Sequence, residues 1–164
     1  MLQVLFEDAE LLLVNKPSGL RVAPIHRWDG NSLLGRAIAH LGTVPHVLHR
    51  LDMDTTGVTA FAKTKMAAAH VASQFREQQC SKQYLALCVA GEGSAVDTGK
   101  LYIDSPLQTV RDGGISLQRV SNSGKPAATA VEVLDRRPGY ALVQAIPETG
   151  RLHQIRVCCA QTAW

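Results

Sequence analysis

The apolar residues of this 164-residue chain come in short bursts, each closed by turn chemistry. ELLLVNK (10–16) runs into Pro17-Ser18-Gly19, VTAFAK (58–63) follows Gly57, and KPAATAVEVLD (125–135) and YALVQAI (140–146) are separated by RRPG (136–139). Apolar runs of this length, bounded by Gly and Pro, read as strands, and the RRPG step reads as a hairpin connection. KQYLALCV (82–89) is apolar at both parities, which predicts a strand covered on both faces. Residues 91–124, rich in Gly, Ser and Asp, are expected to hold short strands and loops.

Three stretches carry helical spacing instead. Leu33, Leu34, Ala37, Ile38 and Leu41 share one face of SLLGRAIAHLG (32–42), with Asn31-Ser32 as cap and Gly42 as stop. Thr64 precedes the alanine-rich KMAAAHVASQFREQQ (65–79). Thr149 is expected to cap RLHQIRVCCA (151–160), in which Leu152, Ile155 and Cys159 recur at i, i+3 and i+7. The result is an α+β domain with a mixed, mostly antiparallel sheet and flanking helices.

No run approaches the roughly 18 apolar residues that cross a bilayer. The acidic start, MLQVLFEDAELLLVNK, is not of signal-peptide type. A formal charge of +3 is compatible with a nucleic-acid partner without demonstrating one. The 4 cysteines, at 80, 88, 158 and 159, show neither CxxC spacing nor a disulfide framework, so buried reduced thiols in a cytoplasmic setting are expected.

Chemistry concentrates at HRLDMDTTG (49–57). Asp52 lies in a loop between a helix and a strand, a preferred place for reactive groups, and is flanked by His49 and Arg50. An ionised carboxylate needs no partner base to act as a nucleophile, whereas serine does. Taken singly, a loop aspartate beside an arginine is more often a turn or ion-pair residue.

HRLDMDTTGVTAFAKT (49–64) resembles the HRLD segment of the RluA-like family of pseudouridine synthases. VNKPSGL (14–20), FREQQCSKQYLAL (75–87), SGKPAATAVEVL (123–134) and ETGRLHQIRV (148–157) resemble that family's other blocks, in the same order. The resemblance implies isomerisation of uridine to pseudouridine in transfer or ribosomal RNA, with no cofactor and no metal. The lack of a glycine-rich phosphate loop or a metal-ligand pattern in the sequence fits that reading.

By the same resemblance Asp52 is the catalytic acid, Tyr84 packs on the target base, and Arg156 pairs with the acid. Arg50 enters the RNA stack as the base leaves. His49, His153 and Arg151 are further RNA-contact candidates, the two histidines bonding either backbone or phosphate, and Lys16 either stabilises the catalytic loop or meets RNA. An aromatic wall suits a freed uracil, and a planar guanidinium suits the gap it leaves. Asp54 is expected to serve the turn rather than form a glycosidase-like pair with Asp52. Lys63, Lys65, Arg76, Lys82, Arg119, Lys125, Arg136 and Arg137 are candidates for a phosphate-binding face, although scattered basic residues are more often solvated surface.

Two departures from the family pattern stand out. Cys158 replaces a histidine that commonly follows HQIRV, and the chain ends at Trp164, just after the last motif, where family members continue. A single catalytic domain spanning 1–164 is therefore expected, without an S4 domain, with its C-terminal part missing, monomeric and remote from membranes. The competing reading is an inactive RNA-binding protein derived from the same family.

Overall fold

A computed structural model describes residues 2–24, 31–89 and 99–162. The chain divides into two compact units, 1–79 and 80–164. All strand pairings among the described residues are antiparallel, within an α+β architecture.

In the first unit, β1 (Gln3–Glu7), β2 (Leu11–Lys16), β3 (His46–Val47) and β4 (Gly57–Ala62) form one sheet in the order β1-β2-β4-β3. The β1–β2 turn is closed by Asp8, whose Oδ1 accepts from the backbone N–H groups of Glu10 at 2.8 Å and Leu11 at 2.7 Å. Those two hydrogen bonds hold the Asp8 carboxyl below its ordinary pKa. On β2 the even positions Leu12, Val14 and Lys16 point inward, as period-two alternation requires. Leu12, Val14, Leu20, Val22, Leu33, Ala37 and Phe61 form the core beneath α1 (Leu33–Leu41).

Both helices of this unit begin as read. Ser32 Oγ accepts from Gly35 N at 3.1 Å, and Gly42, with φ 70°, closes α1 through its N–H to Ile38 O at 2.9 Å. Thr64 Oγ1 accepts from Ala67 N at 3.1 Å at the start of α2 (Lys65–Arg76). That helix stops three residues before the expected end, where Gln78 turns to φ 58°.

In the second unit, β5 (Tyr84–Val89), β6 (Gly99–Asp104), β9 (Ala128–Arg137) and β10 (Tyr140–Pro147) form a sheet ordered β5-β10-β9-β6. Val131, Val133, Ala141, Val143 and Ala145 face a core shared with Cys88 and Cys159 of α3 (Gln154–Gln161). Burial beside Cys88 pushes the Cys159 thiol up to about 12, and all four cysteines are free. Cys80 is only half-buried.

One expectation for this sheet is corrected. Among the described residues β5 stands at the end of the sheet order with one exposed face: Leu85, Leu87 and Val89 are 66%, 72% and 72% exposed, while Tyr84, Ala86 and Cys88 turn to the core. Apolar residues at both parities therefore did not mean two covered faces.

Within 91–124, residues 99–124 resolve into β6 and the hairpin β7 (Leu107–Asp112) and β8 (Ile115–Val120), and 91–98 lie outside the described residues. Gly113 and Gly114, at φ 53° and 84°, make the tight turn of that hairpin. Its base is fastened to the chain that follows. Leu107 N donates to Lys125 O at 2.9 Å, and Lys125 N donates to Leu107 O at 2.8 Å. Gly124 lies so close that a Cβ would stand 2.6–2.8 Å from the Leu107 backbone. Gly124→Ala is therefore expected to lower stability by about 1–3 kcal/mol through overpacking, read from the shift of a urea unfolding midpoint.

Candidate active site

Asp52 is half-buried in the loop between β3 and β4, where Thr55 N donates to Asp52 O at 3.2 Å and closes a turn. Two side chains hold this loop. His49 Nε2 accepts from the backbone N–H of Ala60 on β4 at 3.1 Å, and its ring lies 5.5 Å from that of Phe75. With Nε2 accepting, the neutral imidazole carries its proton on Nδ1.

The second is Lys16. It is 0% exposed, and its Nζ donates to Met53 O at 2.6 Å, Leu20 O at 2.7 Å and Pro17 O at 2.8 Å. All three ammonium donors are thereby used. Burial pushes the ammonium below the ordinary lysine value, while the carboxylates of Asp54 and Asp52 push it back up. Lys16, expected either to meet RNA or to stabilise the catalytic loop, has its side chain fully buried. It ties the Pro-Ser-Gly turn to the carbonyl of the residue after Asp52.

Arg50 and Asp54 are exposed on the same loop. A hollow of about 390 Å³ lies beside it, lined by Gln3, Asn15, Lys16, Pro17 and Thr56. Thus Lys16, His49, Arg50 and Asp52 are brought together within the first unit.

Tyr84, Arg151, His153 and Arg156 belong to the second unit. Tyr84 opens β5 opposite Ala145 and packs against the core, as does Ile155, the neighbour of exposed Arg156. The 148–153 segment differs from the expected helix. α3 starts only at Gln154, after His153 adopts a left-handed conformation (φ 50°), and Thr149 does not cap it. Leu152 lies outside the helix and is 36% exposed, so the i, i+3, i+7 stripe loses its first member.

The physical reason is Gln154, 4% exposed and unrecognised from the sequence. Its Oε1 accepts from Thr149 Oγ1 at 2.8 Å and Arg151 N at 2.9 Å. Its Nε2 donates to Ala128 O at 3.0 Å and Thr129 Oγ1 at 2.9 Å. Lys82 adds a bond from Nζ to Thr149 O at 2.9 Å, and so is an internal tie rather than simply a solvated cation. Arg151 Nε donates to Pro126 O at 2.9 Å. The one sequence signal for this hub was a glutamine three residues after Arg151 and five after Thr149.

Comparison with known proteins identifies the family to which this antiparallel α+β chain belongs. The family model described as RNA pseudouridylate synthase matches residues 10–161. The chain belongs to that family. It is 38% identical over 160 residues to ribosomal large subunit pseudouridine synthase C of Vibrio vulnificus, covering 94% of this chain and 47% of that protein. It is likewise 38% identical over 162 residues to ribosomal large subunit pseudouridine synthase D of Nitrosomonas europaea, covering 95% and 45%. The chain thus spans about half the length of the curated relatives it matches.

Among solved structures, human RNA pseudouridylate synthase domain containing 4 matches with TM-score 0.73 at 31% identity, covering 98% of this chain and 64% of that one. Human RNA pseudouridylate synthase domain containing 1 matches with TM-score 0.80 at 25% identity, covering 98% and 65%.

Replacing Lys16 by Met keeps the stem and removes the donors, leaving three carbonyls without their partner. A loss of about 2–3 kcal/mol is expected in urea unfolding. Lys16→Arg is not expected to restore it, because a planar fork does not fit a three-point tetrahedral site.

Proposed function

We propose that this chain carries the reaction centre of an RNA pseudouridine synthase, with Asp52 as the reacting carboxylate. The observation that carries the reading is an acidic loop pinned through its Met53 carbonyl by a buried lysine, in a chain that belongs to the pseudouridylate synthase family. Preorganised placement of a reacting group is what the chemistry asks of the scaffold.

The reaction breaks the N1–C1′ bond of uridine and joins C1′ to C5. The C5 proton leaves, N1 takes a proton, and nothing is oxidised or reduced. No cofactor or metal is called for by that balance. Asp52 opens the sequence by engaging the nucleoside, Tyr84 gives the loosened base a flat surface, and Arg156 serves as counter-ion to the acid. Arg50, exposed on the acidic loop, meets the RNA as the base leaves the stack.

The substrate is a uridine of ribosomal or transfer RNA, the former favoured by the names of the bacterial relatives. A loop uridine is a better target than one in a perfect helix, because unstacking costs least where pairing is absent. We assign residues 1–164 to one catalytic domain acting as a monomer in the cytoplasm. No helix among the described residues is long and apolar enough to cross a membrane.

The test is incubation of the protein with ribosomal and transfer RNA transcripts, followed by mapping of pseudouridine. Wild type is expected to convert specific uridines, Asp52→Ala to lose turnover by at least about a thousandfold, and RNA affinity to stay within about twofold. Tyr84→Phe should retain far more activity than Tyr84→Ala, since the ring rather than the hydroxyl does the work. Binding without product from wild type would instead describe an inactive RNA-binding relative, and full activity in Asp52→Ala would end the assignment.

A further inference from the structure

The turn that precedes α3 holds one residue in a conformation that its side chain resists. His153 has φ 50° and ψ 23°, the left-handed region, where the Cβ of any residue other than glycine is crowded. Such a residue persists only where its surroundings over-determine it, and strain of this kind concentrates at functional sites.

Gln154 supplies those surroundings. Its Oε1 accepts from Thr149 Oγ1 and Arg151 N, on the chain before His153. Its Nε2 donates to Ala128 O and Thr129 Oγ1, at the start of β9. One helical turn further on, Cys158 Sγ donates to the same Thr129 hydroxyl at 3.4 Å. Residues four apart share a helix face, so Gln154 and Cys158 clasp Thr129 between them and fix α3 against β9 in rotation as well as in position. Thr129 is 0% exposed and Cys158 2%, so water does not compete for these bonds. Lys82 Nζ holds the Thr149 carbonyl from the chain before β5.

That rotation decides which residue faces outward. Gln154, Cys158 and Cys159 turn inward and Ile155 packs on the core, whereas Arg156 is exposed. A slip of one residue turns a helix by about 100° and would carry Arg156 to another face.

We infer that Gln154 is a positioning residue for turnover: it holds the 149–153 turn and the first turn of α3 so that Arg156 leaves the helix in one direction. This role rests on the synthase reading, in which Arg156 is counter-ion to the reacting acid, and adds the residue through which that counter-ion is aimed. A misplacement of about 1 Å arising away from the chemistry costs about a hundredfold in rate, so the effect falls on kcat rather than on RNA affinity.

The test measures pseudouridine formation by the full chain on a ribosomal RNA transcript, beside urea unfolding of each variant. Gln154→Leu removes all four bonds, and Gln154→Glu keeps the acceptor while losing the donors. Val143→Ala lowers the stability of the same unit from a buried β10 position without touching these bonds. Both Gln154 variants are expected to lower kcat about a hundredfold at about pH 8, with KM within about threefold of wild type. Val143→Ala should keep kcat within about twofold wherever it remains folded.

Burial raises the pKa of an introduced carboxyl, and its protonated form regains one donor. The rate of Gln154→Glu relative to wild type should therefore rise about tenfold between about pH 8 and about pH 5.5, with no such recovery in Gln154→Leu. In an Arg156→Ala background, Gln154→Leu should lower kcat by no more than about a further twofold, because the two residues act as one unit.

Wild-type rates in both Gln154 variants, an equal kcat loss in Val143→Ala, absence of the acid recovery, or a full further loss in the Arg156→Ala background overturns the inference. Any of these with pseudouridine formed by wild type leaves the synthase reading standing. If wild type forms none, that reading falls and amide hydrogen exchange decides the rest. Exchange over 149–157 that quickens in the Gln154 variants but not in Val143→Ala keeps the positioning role, and unchanged exchange ends it.

Discussion

The acidic loop of this protein depends on one buried cation. Lys16 ends β2 at an inward position, so its stem continues the apolar row of Leu12 and Val14 while its ammonium lies out of water. An unpaired charge there would cost several kcal/mol. Three carbonyls from two separate segments, Pro17 and Leu20 on one and Met53 on the other, receive its three protons instead. The arrangement works in both directions. The carbonyls stabilise the ammonium, and the ammonium gives partners to backbone groups that no strand ladder serves. The neighbouring acids Asp52 and Asp54 favour its charge from a greater distance. Position 52 thereby inherits rigidity from a residue 36 places earlier in the chain.

Much of the scaffold was legible because it follows local rules. Ser32 and Thr64 cap as their hydroxyls predict, Gly42 takes the left-handed stop, and Gly139 (φ 82°) completes the RRPG hairpin. The misreadings share a cause: burial is a property of the sheet, not of the segment. KQYLALCV is apolar throughout, yet an edge strand of an antiparallel sheet keeps one face in water. For Lys16 the sequence left RNA contact and stabilisation of the catalytic loop both open, and its full burial favours the second. Its parity with Leu12 and Val14 was the sign of that burial, and it was visible in the sequence. For α3, propensity favoured a start at Arg151, but the Gln154 side chain takes the Thr149 hydroxyl and the Arg151 amide, so the turn before it cannot be helical.

Lys16 and Gln154 represent the same solution in two units. Each is a long polar side chain drawn inside and bonded to backbone or hydroxyl groups of an adjacent motif, and each sits within a block that resembles the family pattern. Resemblance alone therefore does not distinguish a residue that meets substrate from one that holds such a residue in place; burial and bonding do. Arg50 and Arg156 are exposed and Asp52 and Tyr84 half-buried, whereas Lys16 and Gln154 are 0% and 4% exposed with every polar atom engaged.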